Sequence, residues 1–208
     1  MSIVFYTAPW SSASPVASAL HELGVPHETV TFDLTKTEHK KADFLAINPN
    51  GKVPTITVDG APMFEALAIL TWLGETYGVS KKLWPEAGTP ERLQAASWSA
   101  WSYVSYAAAL GFLALATSER VPQALHNPAQ ADHARNLLNG MLSVLDARLA
   151  KNKYILGAKY SLADLIVGSV VGYGVMVGQP VEAHPHVKAW LAEFQKREAF
   201  QVGMKPKA

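Results

Sequence analysis

Every clear strand signal in this chain falls before Gly78, and the remainder of its 208 residues reads as helix. The apolar run at 3–6 predicts a buried strand, followed by a loop rich in serine and proline. Residues 13–23 predict a helix closed by Gly24, a residue that tolerates the left-handed conformation at a helix end. A second strand is expected at 27–32 and a short helix at 39–47. Strands at 55–58 and 62–64 flank Asp59-Gly60, a strong two-residue hairpin signal, and a helix over 66–77 stops at Gly78. A strand–helix–strand opening demands a parallel, right-handed crossover, whereas the later hairpin must pair antiparallel.

Beyond Gly78 the pattern changes. Residues 79–88 predict a linker containing Pro85 and Gly88, and long helical patterns follow at 90–118, 129–150, 161–177 and 185–195. The expected architecture is α/β plus all-α. A thioredoxin-like domain spans 1–78, the linker 79–88, and a helical bundle domain 89–208. Hydrophobic residues make up 49% of the chain and charged ones 17%, which suits an ordinary soluble protein with a sizeable core. A net charge of +1 gives no electrostatic case for a nucleic-acid partner. The apolar stretch 99–116 is interrupted by Trp101, Ser102, Tyr103, Ser105 and Tyr106, so it reads as a buried helix, not a membrane span. No basic segment followed by a long apolar one opens the chain, so no secretory signal is expected. The chain has no cysteine, which removes disulfides, cysteine-metal sites and a cysteine nucleophile together and fits a cytoplasmic location. His184-Pro185-His186 lacks a third ligand and reads as the entry to the last helix, so no metal is expected.

Two motifs carry the chemistry. In Asn48-Pro49-Asn50-Gly51-Lys52-Val53-Pro54-Thr55-Ile56, turn formers and a lysine precede a proline at the start of a strand. Such a proline marks a tight turn, cis in some cases, that presents backbone outward. The N–H and C=O of Val53 can then pair with an extended peptide as with another strand. In Phe64-Glu65-Ala66-Leu67-Ala68-Ile69 a strand runs into a helix with a carboxylate at the junction. The first N–H groups of that helix attract a carboxylate, and Glu65 can hold an ammonium. Together the motifs suit a small peptide with an amino-acid head group.

This constellation resembles the glutathione-binding site of the cytosolic glutathione transferases, most closely the bacterial types, and the similarity covers nearly the whole chain. The resemblance implies that Val53, before Pro54, pairs with the cysteinyl backbone of glutathione, and that Glu65 and the Ala66 N–H take the γ-glutamyl end. The family usually has serine where this chain has Ala66, so one hydroxyl contact is lost. Lys52 sits where some members place a group towards the glycine carboxylate. His39 and Lys36 lie in the region from which members reach the same group, although a solvated charged face accounts for either equally well. The resemblance also implies a homodimer and a small electrophilic, mostly apolar second substrate bordered by the first long helix of the helical domain.

Glutathione as cosubstrate requires a group that favours thiolate over thiol. A hydroxyl near a helix N-terminus does so through hydrogen bonding and the helix dipole. Counted back from Gly24, Ser12 falls where some bacterial members carry cysteine or asparagine. Ser11 is the neighbouring alternative, the first backbone N–H groups of the helix a third, and Ser14 reads as a cap. Trp10, Tyr103 and Tyr106 are the candidates for the hydrophobic substrate site, although Tyr103 and Tyr106, at i, i+3, fit core packing as well. Ser161-Leu162-Ala163-Asp164 reads as a capping box, so Ser161 and Asp164 are expected to serve folding, not catalysis. Conjugation of glutathione to electrophiles is the expected activity. A glutathione-dependent disulfide reductase or peroxidase and a non-catalytic binding module are the alternatives.

Overall fold

A computed structural model describes residues 1–119 and 121–204. The chain divides into two compact units, one of residues 1–86 with the segment from Gln195 onward, the other of residues 87–194.

In the first unit, β1 (Ile3–Thr7), α1 (Ser14–Glu22), β2 (Glu28–Thr31), α2 (Ala42–Ile47), β3 (Thr55–Val58), β4 (Ala61–Phe64) and α3 (Ala66–Leu73) follow the expected order. The four strands form one sheet in the order β2-β1-β3-β4, parallel for β1 with β2 and antiparallel for β1 with β3 and β3 with β4. This is the thioredoxin-like arrangement. Asp59 and Gly60 both take positive φ, 48° and 86°, as a two-residue turn between right-twisted strands requires. Phe5, Val16, Leu20, Ile56, Ile69 and Leu70 are buried between the sheet and its helices. Tyr6, Phe32 and Phe44 cluster, with Phe32 edge-on to Phe44 at 4.7 Å, which confirms Tyr6 as a strand residue packed by its ring.

The second unit is helical: α4 (Pro90–Ala100), α5 (Ala107–Thr117), α6 (Pro128–Leu149), α7 (Leu162–Met176) and α8 (Pro185–Gln195). A wide, π-type stretch, Trp101–Tyr106, joins α4 to α5 without a break. Pro90–Thr117 is the one described helix long and apolar enough to cross a membrane, yet it packs on α6 and α7 inside this unit. At the start of α7, Asp164 is fully buried and accepts four hydrogen bonds. Ile155 N–H (2.8 Å) and the Trp190 indole (3.0 Å) reach Oδ1, and Ser161 N–H (2.9 Å) and Oγ (3.1 Å) reach Oδ2. The expected capping box is present, and it also ties in the preceding loop and α8. Burial pushes the Asp164 carboxyl above the usual range, against the pull of these four donors.

The sequence reading misses one element, α9 (Glu198–Met204), and the structure assigns it to the first unit, not the helical one. It packs along α1, where Gly203 comes so close that an added Cβ would meet the Ser14 carbonyl at 2.6 Å and collide with Ser18 Oγ. Arg197 just before it forms a two-pronged ion pair with Glu22 at the end of α1. The predicted boundaries therefore differ in two places: the first unit runs to Glu86, and it takes back the chain from Gln195.

Candidate functional site

The strand register brings three separate loops to one end of the sheet. Tyr6 of β1 pairs with Thr55 of β3, and Thr55 pairs with Phe64 of β4. One residue beyond these pairs lie Thr7 with the loop into α1, Pro54 with the turn before β3, and Glu65 with the start of α3. Both α1 and α3 begin at this edge, so their unpaired N–H groups and positive dipole ends converge on it.

The turn before β3 is held rigidly. Asn48 is buried, and its amide donates to Lys52 O and Thr55 Oγ1, both at 2.9 Å, while its Oδ1 accepts from Asn50 N–H at 3.0 Å. Lys40 Nζ donates to Gly51 O at 2.9 Å and Asn50 O at 3.2 Å. Gly51 takes φ +53°, and a Cβ there would strike the His39 carbonyl at 2.8 Å. The Val53–Pro54 peptide is cis. Val53 N–H has no partner among the described residues, so this turn holds out an unused backbone donor.

The two serines in the α1 loop have different work. Ser11 Oγ donates to Ala8 O at 2.7 Å and accepts from Ala13 N–H at 3.2 Å, so its hydroxyl braces the loop. Ser12 Oγ reaches across to Val53 O at 2.9 Å and is exposed, which places its hydroxyl on the turn that presents Val53. Ser14 opens α1 and supplies no side-chain cap.

Glu65 takes φ +71° and ψ 118°, a region costly for any residue with a Cβ. Its side chain is exposed and makes no capping bond to α3, so the helix start is not its occupation. Ala66 is buried directly beside it. Lys52 is exposed, and His39 is half-buried with a buried Nδ1 that has no partner. A carboxylate, an exposed ammonium, an unpaired N–H and a hydroxyl thus border one edge, where two helices begin.

The three proposed substrate-pocket aromatics divide. Trp10 is 70% exposed in the loop before α1, with φ +55°. Tyr103 is half-buried in the wide turn of the helical unit. Tyr106 is a correction: its side chain is fully buried against α7, where a Cβ on Gly174 would touch its hydroxyl at 2.9 Å. It therefore borders no open surface. Burial pushes both phenols well above their ordinary range, so neither supplies a phenolate near neutrality. His184 Nε2–H donates to Asn139 Oδ1 at 2.8 Å, a structural contact. Among the described residues no group of three or more His, Cys, Asp or Glu is placed to hold a metal.

Sequence reasoning missed Asn48, Lys40 and Thr55, which position the turn without pointing at a ligand. The Asn-Pro-Asn-Gly run signalled a turn, but not which side chains would brace it.

Residues 10–76 match the family model described as the glutathione S-transferase N-terminal domain, and residues 103–198 match its C-terminal domain. Glutathione S-transferase 3 of Zea mays is 32% identical over 200 residues, covering 89% of this chain and 85% of that one. The chain belongs to the glutathione S-transferase family. Another relative in this family, GstB of Escherichia coli K12, is 27% identical over 193 residues, covering 92% of this chain and 91% of its own. Among solved glutathione S-transferases, the form I enzyme bound with lactoylglutathione superposes with a TM-score of 0.82 at 29% identity, over 97% of this chain and 98% of that one. The theta-class enzyme of Xanthomonas axonopodis pv. citri, with glutathione bound, gives 0.82 at 26% identity, over 99% and 98%.

Proposed function

We propose that this protein binds glutathione at the Ser12–Val53–Glu65 edge and transfers its thiolate to small, mostly apolar electrophiles. The observation that carries this reading is the Ser12 Oγ to Val53 O hydrogen bond, which joins the hydroxyl candidate to the turn with the unused N–H.

In this reading the cysteinyl C=O of glutathione accepts from Val53 N–H, and its N–H donates to Val53 O. That oxygen then gains a second donor, and the Ser12 hydroxyl can turn to the sulfur at little cost. Glu65 holds the γ-glutamyl ammonium. The α-carboxylate of the same group lies against the first N–H groups of α3, including Ala66 N–H. Lys52 and His39 face the glycine carboxylate. With the peptide anchored at both ends, the thiol lies at the start of α1, where the dipole and Ser12 favour loss of its proton to solvent. The thiolate forms a C–S bond with the electrophile as the leaving group departs with the bonding pair. The protein supplies orientation and a lowered thiol pKa, and glutathione supplies the nucleophile. Trp10, exposed in the loop before α1, remains a proposed contact for the electrophile. Likeness to the family supports a cytoplasmic homodimer.

Calorimetric titration with glutathione tests binding. Turnover of a chloronitroaromatic acceptor, an organic peroxide and a low-molecular-weight disulfide then tests the reaction. Saturable binding with conjugation fastest is the expected result. Binding with peroxide reduction alone would make the protein a peroxidase, and no binding would make it a non-catalytic module.

A further inference from the structure

The connection from α6 to α7 is strongly basic. Residues 147–163 hold Arg148, Lys151, Lys153 and Lys159 and no aspartate or glutamate, in a chain whose net charge is only +1. The acids at its two ends are already committed. Asp146 Oδ1 accepts the N–H groups of His186 and Val187 at 2.8 and 3.0 Å, at the start of α8. Asp164 is fully buried beneath its own donors. Arg148 Nε donates to Ile155 O at 2.9 Å. Lys151, Lys153 and Lys159 are exposed and make no ion pair among the described residues.

Within the same helical unit, a groove of about 210 Å³ opens between the end of α6, this connection and α8. Leu149, Tyr154, Ala189 and Trp190 give it an apolar lining. The Trp190 indole N–H donates to Asp164 Oδ1 at 3.0 Å, and its ring stacks on Phe194 at 6.3 Å, so it offers the groove apolar ring and no free donor. Tyr154 is set by a tight backbone pairing with Gly157, at 2.8 and 3.0 Å. Lys153 also lines the groove, with Nζ 5.5 Å from the centre of the Tyr154 ring, so an unpaired cation stands at its edge. Asn152 donates Nδ2–H to Arg148 O at 2.9 Å, which leaves its Oδ1 to accept a backbone N–H. Glu193, on the α8 side, is the acid in the lining.

Volume and charge select the occupant. The groove is smaller than the roughly 300–1,000 Å³ of a site that encloses a small molecule, and its size suits one large side chain. Docking on a lipid surface needs apolar side chains that protrude, and no large apolar residue of 147–163 is exposed. A concave apolar seat with unpaired cations on one side complements a peptide that has an apolar anchor and acidic neighbours.

We propose that this surface docks a linear acidic segment of a partner protein. One aromatic or large aliphatic side chain of the segment seats against Trp190 and Tyr154. Its aspartates or glutamates lie over the lysines of the connection, away from Glu193. The docking surface shares no residue with the Ser12–Val53–Glu65 edge.

The test is fluorescence anisotropy of the full chain with capped synthetic peptides, in which a central residue of each type in turn is flanked by glutamates. Saturable binding of the aromatic and large aliphatic members is expected. The peptide with a central serine should bind about tenfold or more weakly than the one with phenylalanine. Lysines in place of the glutamates should abolish binding, and rising salt should weaken it. Ala189→Trp fills the groove and keeps its charges, whereas Lys151→Glu with Lys153→Glu reverses the charge and keeps the groove. Each should weaken the phenylalanine peptide about tenfold or more. All three positions are exposed, so wild-type melting by circular dichroism is expected, and if one variant misfolds the other remains decisive. Absence of saturable binding by every peptide overturns the proposal. So does equal affinity for the phenylalanine and serine peptides, or unchanged affinity in either folded variant. Sedimentation of the chain with phosphatidylserine vesicles that the phenylalanine peptide fails to displace would also overturn it and make the surface a membrane contact.

Discussion

The hydroxyl of Ser12 donates to the carbonyl of Val53, 41 residues further along the chain, at 2.9 Å. The same backbone unit carries an unused N–H, so one residue both accepts from the candidate hydroxyl and holds out the donor proposed for an extended peptide. Ser12→Ala should therefore raise the pKa of bound glutathione thiol and leave its Kd nearly unchanged. The rate should fall most near neutral pH and recover in alkali, where the thiol ionises unaided. Thiolate ultraviolet absorbance followed against pH reads this directly.

Ser11→Ala should act differently. Its hydroxyl bridges Ala8 O and Ala13 N–H, so the loss falls on the loop at the helix start, about 0.5–2 kcal/mol by analogy with lost N-caps. The thiol titration should stay where it is. A shift with Ser11→Ala and none with Ser12→Ala would reverse the two assignments.

Glu65 separates ligand binding from folding. Its side chain makes no cap bond, while its backbone sits at φ +71°. Glu65→Ala should weaken glutathione by about 1.5–3 kcal/mol, roughly ten- to more than a hundredfold. Glu65→Gly should weaken it as much yet melt no lower than wild type, because glycine occupies this backbone region without strain. Ala66→Ser should bind glutathione as tightly or more so. A clear drop in melting temperature for Glu65→Gly would return Glu65 to a structural role.

Asp164→Asn probes the helical unit. Each carboxylate oxygen accepts an N–H, so an amide in either orientation turns its NH₂ on a donor. The expected cost is about 1–3 kcal/mol for the group left unsatisfied, seen as a lower melting temperature. Glutathione affinity of the folded variant should not change. A large affinity loss at constant melting temperature would contradict the capping role.

Gly203→Ala tests the return of the chain to α1. The new Cβ would press on the Ser14 carbonyl and on Ser18, so α9 must move away. A loss of about 1–3 kcal/mol is expected for such overpacking, with faster proteolysis after Gln195.

Local signals carried much of this fold. The Asp59-Gly60 turn, the helix ending at Gly24 and the Ser161–Asp164 box all lie where short-range chemistry places them, because each depends on residues within a few positions. Long-range packing was less legible. Helix α9 is seven residues long and contains a glycine, and its place depends on a partner, Glu22, that is 175 residues away. Tyr103 and Tyr106 fail as a pair for a different reason. Their i, i+3 spacing suggests a shared face only on a regular helix, and the π-type turn between α4 and α5 changes which residues align. The turn at Val53–Pro54 and the strand-to-helix junction at Glu65 were readable from single motifs. The bracing by Asn48 and Lys40 was not, since it needs the folded turn.

The return of the chain at Gln195 also has a consequence for biosynthesis. Residues 1–86 leave the ribosome first, but the helix that covers α1 is translated only after the entire 87–194 unit. The nascent thioredoxin-like half therefore waits with one side of α1 bare, at a stage when exposed apolar surface invites aggregation or chaperone capture. The domain that begins to fold earliest is the last to be finished.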